Sequence, residues 1–290
     1  MSRTNATLLG FCAILSWTLL AYFTIGAKDI PPLQLNAMCF FIGGSAGLGL
    51  SSLRSGPNVF RTVPASAWAL GIGGLFCYHF CFFTALSLAP AAPASLINYL
   101  WPLLIVLFSG LLPGERILWQ HIVGALIAFA GAGILIMPND ASFETAHLAG
   151  YGAALIGAFI WSGYSVLSRR FAKVPTSAVG LFCIAAAALS TLAHLTLEQT
   201  VWPQNATTWA AVWALGLGPV GLAFYLWDIG VKFGNIQLLG ILSYCAPLFS
   251  TLILVLSGHA APNPQLAFAA LMITGGAAFA GLAGRSLKSG

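Results

Sequence analysis

Charged side chains are scarce in this 290-residue chain. Lysine, arginine, aspartate and glutamate make up 6% of it and hydrophobic residues 59%, and the mean hydropathy is +0.92. Soluble globular domains carry about 25% charged residues, so that class is excluded. Apolar runs of about 18 or more residues predict helices that cross a bilayer, and the short alternating segments of a membrane β-barrel are absent. The predicted fold is an all-α integral membrane protein.

The sequence also lacks the motifs of several catalytic sites. It has no glycine-rich phosphate loop with its lysine and no pair of catalytic carboxylates, so an ATP-driven pump is excluded and no cofactor is predicted. Cys77 and Cys81 lack an accompanying cluster of His, Asp or Glu, so no metal site is predicted. All six cysteines are interpreted as core residues. We therefore do not expect an enzyme, although a membrane enzyme using His79 and Asp228 as acid and base stays an alternative.

Apolar windows predict ten membrane spans, and proline and glycine mark most of the breaks between them. The predicted spans are 6–27, 33–53, 66–88, 91–112, 117–137, 149–169, 176–197, 208–232, 236–257 and 265–286. The first span resembles a signal peptide in having Arg3 before it. It is too long for a typical signal sequence, however, so we expect a retained helix.

The distribution of charge predicts the orientation of these spans, because Lys and Arg favour cytoplasmic ends. With the amino terminus inside, only Lys28 of the eleven basic residues falls outside. The ten inside are Arg3, Arg54, Arg61, Arg116, Arg169, Arg170, Lys173, Lys232, Arg285 and Lys288, and the acids Asp29, Asp140, Glu144 and Glu198 fall outside. Both termini are therefore predicted to be cytoplasmic. The net charge of +5 is explained by this placement of basic residues at cytoplasmic ends, so the lipid bilayer is the expected partner and no nucleic acid is predicted.

The chain contains an internal repeat at half its length. Residues 98–112 match 243–257 without a gap, pairing Asn98 with Ser243, Tyr99 with Tyr244, and Pro102 with Pro247. This predicts two units, residues 1–145 and 146–290, of five spans each. Because five is odd, the second unit is expected to be inverted. Inverted repeats are common in secondary transporters, where the substrate binds near the midplane, here in a central cavity lined by the third, fourth, eighth and ninth spans.

The eighth span carries a predicted stripe of Gly218, Gly221, Tyr225, Asp228 and Lys232, spaced by three or four residues. An acid inside a membrane normally faces protein or water. Asp228 and Lys232 are either a self-neutralising pair or a site for the ammonium and carboxylate of a zwitterion, and Asp228 is alternatively a proton acceptor. Lys232 is also close enough to the helix end to reach the headgroups.

Aromatic and polar side chains in the middle of other spans complete the candidate site. Trp and Tyr usually lie at membrane interfaces, and inside the bilayer their polar groups need partners. The candidate substrate-binding residues are Trp17, Tyr78, His79, Asn98, Tyr99, Trp101, Trp161, Tyr164, Tyr225, Asp228, Lys232, Ser243 and Tyr244. Each predicted hinge, Pro102 and Pro247, removes a helical hydrogen bond. For His79, packing and a proton relay both stay open.

The number of spans and several motifs in this sequence resemble those of a known family. Ten helices in two halves, Trp17 and Trp161 in the first helix of each half, and a fourth helix ending in Pro113-Gly114-Glu115 are similar to the EamA-type exporters of the drug/metabolite transporter superfamily. Residues 98–103 (NYLWPL) and the Tyr78-His79 pair are most similar to the YddG-type aromatic amino acid exporters. The resemblance covers essentially the whole chain, except that Ala260 stands where the second half would repeat Glu115.

The resemblance implies a basket-like bundle in the bacterial inner membrane that exports aromatic and other neutral amino acids by alternating access. An aromatic cavity with few charges suits zwitterions through stacking and cation–π contact, and it disfavours phosphorylated cargo, which needs several basic groups. We expect a monomer without a cofactor. An exporter of lipophilic or quaternary cations, such as viologens, is the alternative function, and a passive channel is a further one.

Overall fold

The computed structural model describes residues 1–55, 63–137, 142–261 and 264–286, except for the side chains of 52–55 and 282–286. In these residues ten helical segments are long and apolar enough to cross a membrane. In chain order they are Arg3–Gly26, Pro32–Ser51, Ala65–Leu88, Ala91–Ser109, Trp119–Ile136, Thr145–Phe171, Ala178–Leu197, Ala206–Phe233, Ile236–Leu256 and Pro264–Gly281. The ten predicted spans are confirmed. Arg61, Asp140 and Lys288 lie outside the described residues.

The third and eighth spans are interrupted by π-helices at matching places. The π-helix of the third span is Gly73–Cys77 and that of the eighth is Gly218–Leu222, so they begin 145 residues apart, at the offset of the sequence repeat. The flanking α-helices are Ala65–Ile72 and Tyr78–Leu88 in the third span, and Ala206–Leu217 and Ala223–Phe233 in the eighth. Such turns release backbone groups from the α-helical ladder and are frequent at functional sites.

The fourth and ninth spans each consist of two helices with a short break. The helices are Ala91–Asn98 and Trp101–Ser109 in the fourth span, and Ile236–Leu242 and Cys245–Leu256 in the ninth. Pro102 and Pro247 lie in the first turn after each break. A proline lacks an N–H and clashes with the carbonyl four residues earlier, which explains why the helix is interrupted just before it. A role of these prolines as hinges stays a prediction.

The first and sixth spans differ from one another. The first is helical over Arg3–Trp17 and again over Leu20–Gly26, so it breaks directly after Trp17. The sixth contains an uninterrupted α-helix over Leu148–Leu167, which ends in a 3₁₀ turn over Ser168–Phe171. The two halves are therefore similar in their third and fourth helices but not in their first.

At one end of the bundle, which we name the Glu115 face, the carboxylate of Glu115 joins several spans. Glu115 accepts hydrogen bonds from Arg3 at 3.1 Å and from Gln237 at 3.0 Å, and its Oε1 lies 2.9 Å from Nη1 of Arg169. The Nη2 of Arg169 also donates to the carbonyl of Gly234 at 2.6 Å. Glu115 lies in the connection after the fourth span. It therefore joins this connection to the start of the first span, the start of the ninth and the end of the sixth.

The opposite end, named the Glu198 face, has a comparable arrangement. Glu198 accepts hydrogen bonds from the backbone N–H groups of Leu33 and Gln34 at 3.0 and 3.2 Å, in the first turn of the second span. Its Oε2 is 2.8 Å from Nδ1 of His194. A carboxylate satisfies the free N–H groups of a helix start and complements its dipole, so Glu198 fastens the second span to the seventh.

Candidate functional site

Four tryptophans from four spans meet at the centre of the bundle. Trp17, Trp101, Trp161 and Trp227 belong to the first, fourth, sixth and eighth spans, and the centroids of every pair lie 5.1–6.3 Å apart. Most pairs are edge-to-face or tilted, the arrangements that aromatic quadrupoles favour. We call these residues the tryptophan cluster.

Hydrogen bonds fix the orientation of two of these rings. The Nε1 of Trp17 donates to the carbonyl of Pro219 at 3.0 Å, and that carbonyl belongs to the π-helix of the eighth span. The Nε1 of Trp227 donates to Oγ of Ser165 at 3.0 Å. The π-helix therefore supplies the acceptor that a tryptophan needs inside the membrane, where no water is available to take its place.

The third and fourth spans add a polar edge to the cluster. The ring of Tyr78 lies 5.1 Å from that of Trp161, and its hydroxyl accepts a hydrogen bond from Nδ2 of Asn98 at 3.2 Å. Asn98 is 3% exposed, and its Oδ1 is buried without a hydrogen-bond partner in the described part of the chain. An unpaired buried acceptor costs about 1–3 kcal/mol, so this oxygen is available for a ligand.

His79 lies beside the cluster, packed among aromatic rings. Its ring centroid is 5.0 Å from Tyr78, 5.1 Å from Phe40 and 6.0 Å from Phe224. Its Nδ1 is 2.7 Å from the carbonyl of Leu75. Because a carbonyl only accepts, Nδ1 carries the proton, and Nε2 of a neutral His79 is left as an acceptor.

Asp228 and Lys232 lie on the side of the eighth span that faces the connection between the sixth and seventh spans. Their side chains, each 4% exposed, are 2.9 Å apart. Asp228 also accepts from the hydroxyl of Thr176 at 2.7 Å, and Lys232 donates to the carbonyl of Val174 at 2.9 Å. Tyr164 lines a small pocket of about 10 Å³ together with Asp228 and Lys232. The centroid of its ring also lies 5.3 Å from that of Trp161. The pair is thus adjacent to the tryptophan cluster, but its hydrogen bonds go to the connection between the sixth and seventh spans.

The four remaining candidates are distributed over two other places. The hydroxyl of Tyr225 donates to the carbonyl of Gly43 at 3.3 Å, facing the second span. Tyr244 is fully buried, and its hydroxyl accepts from the N–H of Leu103 at 3.1 Å, joining the ninth span to the fourth. Ser243 donates to the carbonyl of Leu239 within its own helix, and Tyr99 packs with the hydrophobic side chains around Tyr244.

The predicted single stripe of the eighth span is therefore divided. Gly218 faces Ser16 of the first span, whereas Gly221 faces Gly43 of the second. The physical reason is the π-helix between them, because the stripe assumes 3.6 residues per turn and a π-turn contains more. Trp227, which the stripe excludes, is fully buried at the centre. A tryptophan three residues after Phe224, in the middle of an apolar span, is the signal that could have identified it.

In the described residues, no three His, Cys, Asp or Glu side chains approach closely enough to hold a metal ion. The site offers flat aromatic walls, one unpaired amide oxygen and one imidazole nitrogen to a ligand.

Comparison with known proteins identifies the family. The profile of the EamA-like transporter family matches residues 4–137 and 148–282. The chain belongs to this family. This EamA-family protein is 53% identical to the aromatic amino acid exporter YddG of Ancylobacter novellus over 288 residues, which cover 98% of the chain and 100% of the relative. It is 27% identical to the protein of the same name from Escherichia coli over 98% of the chain and 99% of the relative.

A solved crystal structure agrees with the architecture of this EamA-family protein. The two share 52% identity and superpose with a TM-score of 0.93, over 97% of this chain and 99% of the other. The ten-helix multi-pass fold and the assignment to a family of transporters are thereby confirmed, as the sequence resemblance predicted. The division at residues 145 and 146, and the roles of the individual site residues, stay predictions.

Proposed function

We propose that this protein exports aromatic and other neutral amino acids across the bacterial inner membrane by alternating access, as a monomer. The observation that carries the proposal is the tryptophan cluster with Tyr78, His79 and Asn98 at its edge, at the centre of the bundle. The cluster and its polar edge are complete within one chain, so binding needs no residue from a second copy. The names of the relatives, aromatic amino acid exporters matched over nearly the whole chain, support the cargo.

The site offers complementary groups for each part of an aromatic amino acid. The rings of the tryptophan cluster provide edges and faces for the side chain, and their faces attract an ammonium group through cation–π contact. The free Oδ1 of Asn98 accepts a hydrogen bond from that ammonium. The rings contact one another in the present arrangement, so cargo binding requires them to separate, and the cargo ring then replaces part of their mutual contact.

For orientation, we propose that the Glu115 face is cytoplasmic, with both termini on that side, and that residues 1–145 and 146–290 are inverted units. Arg3 and Arg169 lie at the Glu115 face, and Lys28 is at the other end of the first span, in agreement with the preference of basic residues for the cytoplasm. The Glu115 interactions close this face in the present arrangement. Alternating access requires them to break, so Glu115 is proposed as a cytoplasmic gate.

Replacing Asn98 by alanine is expected to raise the KM for phenylalanine by about tenfold or more, because a hydrogen bond to a charged group is worth about 1.5–3 kcal/mol. The melting temperature should change little, since the variant loses the bond to Tyr78 but also removes the unpaired Oδ1. Uptake kinetics and thermal unfolding in detergent measure the two effects. An unchanged KM in a folded variant would remove Asn98 from the cargo site.

Replacing Glu115 by glutamine is expected to loosen the Glu115 face, because the carboxylate pairs with two guanidinium groups. Hydrogen–deuterium exchange of the backbone around Asn235 and Gln237 should become several-fold faster, as expected for easier local opening. Glu198→Gln is the matched control at the opposite face and should leave this exchange unchanged. Equal exchange in the wild type and in Glu115→Gln would exclude Glu115 as a gate.

Counterflow in proteoliposomes tests the proposed function itself. Vesicles loaded with unlabelled phenylalanine are expected to accumulate labelled phenylalanine, with competition by other neutral amino acids. Labelled methyl viologen and a labelled sugar phosphate are the comparison cargoes. Accumulation of the viologen alone would establish an exporter of lipophilic cations instead, and flux without saturation or counterflow would indicate a channel.

A further inference from the structure

A cleft of about 430 Å³ opens on the outside of the bundle, between the second and eighth spans. This volume lies within the range of about 300–1,000 Å³ that is typical of ligand sites. The cleft is lined by Gly43, Ala46, Gly47, Leu50, Ser51, Ser177, Leu217, Leu222 and Tyr225. None of these residues belongs to the tryptophan cluster, so the cleft is a separate site.

Two glycines of the second span, Gly43 and Gly47, allow the eighth span to approach closely at the inner end of the cleft. A Cβ on Gly43 would lie 2.5 Å from Cα of Gly221, so the two backbones touch there. A Cβ on Gly47 would lie 1.8 Å from the hydroxyl oxygen of Tyr225, so this ring occupies the space beside the second span. Leu50 and Leu222 then form the outer walls, which leaves an open and mostly apolar groove with a tyrosine at its base.

The position of the cleft indicates what it contacts. Its walls belong to Pro32–Ser51 and Ala206–Phe233, both of which are membrane spans. Leu50, Leu217 and Leu222 are 59%, 48% and 56% exposed, and inside a bilayer such side chains face lipid. An open apolar cleft at this place therefore faces the hydrocarbon chains of the bilayer.

Among the described residues, the two serines that line the cleft lie at one end of it, and basic residues follow nearby in the chain. Ser51 lies near the end of the helix Pro32–Ser55 and Ser177 directly precedes the seventh span, so both lie towards the Glu115 face. Arg170 lies in the 3₁₀ turn that ends the sixth span, and the exposed Lys173 lies in the connection that leads to Ser177. Basic residues near a membrane surface attract anionic lipid headgroups, by about 1 kcal/mol for each residue in general.

We propose that the cleft binds one acyl chain of an anionic phospholipid, whose headgroup is held by Arg170 and Lys173. The chain lies along Ala46, Leu50 and Leu222, and the phosphate group lies at the Glu115 face. This lipid site lies outside the tryptophan cluster, so it is independent of the cargo that the protein carries.

The test uses phosphatidylglycerol with a diazirine in the middle of one acyl chain, reconstituted with the full-length protein and irradiated. Mass spectrometry of the digested protein is expected to find adducts concentrated on Leu50, Leu217 and Leu222. Ala46→Phe fills the cleft and should lower this labelling at least fivefold. Ala130→Phe is the matched control, because Ala130 is exposed on the fifth span, and it should leave the labelling unchanged.

The headgroup is tested separately with the same probe. Lys173→Gln should lower labelling of the cleft by diazirine phosphatidylglycerol at least threefold and leave labelling by the corresponding phosphatidylcholine unchanged. Lys28→Gln, at the opposite end of the bundle, is the control. Equal labelling by the two lipids in the wild type would overturn the assignment to an anionic lipid.

Two results would overturn the acyl-chain site itself. One is labelling spread evenly over the lipid-facing residues and unaffected by Ala46→Phe, or by the milder Ala46→Leu if the first variant does not fold. The other is labelling of the cleft that excess phenylalanine abolishes, which would assign the cleft to the cargo.

Discussion

Replacing Trp101 by alanine is expected to reduce phenylalanine counterflow by about tenfold or more. Its ring centroid lies 6.3 Å from those of Trp17 and Trp161 and 6.0 Å from that of Trp227, so it contacts all three other members of the tryptophan cluster. Each aromatic pair is worth about 0.5–1.5 kcal/mol beyond the area that it buries. Alanine removes both these contacts and the surface offered to an aromatic cargo. Initial rates in proteoliposomes at equal protein content measure the effect.

Two further variants separate a loss of cargo contact from a loss of folding. Trp101→Phe keeps a ring in the cluster and should retain a larger share of the rate than Trp101→Ala. Trp213→Ala removes a tryptophan that is 51% exposed, away from the cluster, and should transport like the wild type. A Trp101→Ala protein that is folded, as judged by its melting temperature, and that transports at the wild-type rate would remove Trp101 from the cargo site.

The fold could be predicted from the sequence because the bilayer imposes few solutions. Apolar runs without charges must be helices there, since every backbone group needs an internal partner. The repeat at an offset of 145 residues also indicated where the fourth and ninth spans depart from a regular helix, because a proline within a helix removes one hydrogen bond and clashes with the carbonyl four residues earlier. Pro102 and Pro247 therefore marked two structural breaks without any knowledge of the packing around them.

The π-helices at Gly73 and Gly218 could not be predicted in this way. No residue type requires a π-turn, and its stability depends on tertiary partners such as the Nε1 of Trp17, which bonds to the carbonyl of Pro219. The consequence extends to the site. A stripe with a period of 3.6 residues across Gly218–Leu222 assigns side chains to the wrong neighbours, so Tyr225 faces the second span instead of the tryptophan cluster.

Mid-membrane tryptophans were the more reliable signal for the site. A tryptophan deep in the bilayer needs both a large apolar contact and a partner for its N–H, and these needs are met together only where several spans converge. Trp17, Trp101 and Trp161 meet this criterion in the sequence and converge in the structure. Trp227 meets it as well, but the predicted stripe through Asp228 lies on another face of the helix.

Replacing Asp228 by alanine while Lys232 remains is expected to lower the free energy of unfolding by about 3–5 kcal/mol. The two side chains are 2.9 Å apart and 4% exposed, so the variant leaves an ammonium group buried without its counter-charge. Thr176 loses its acceptor in the same step. Thermal unfolding in detergent, compared with the wild type, measures the loss.

A double variant decides what the pair does. Asp228→Leu combined with Lys232→Met replaces both charges by apolar side chains of similar shape and leaves no buried charge. Thr176 and Val174 lose their hydrogen-bond partners in the double variant as well, so we expect it to recover most, but not all, of the stability that Asp228→Ala loses. Because the hydrogen bonds of the pair are made within the protein, phenylalanine counterflow should recover with it. Restored stability without transport would instead assign the two charges to binding the cargo or a proton. In that case the eighth span would still be packed correctly, and only the charged groups needed for transport would be missing.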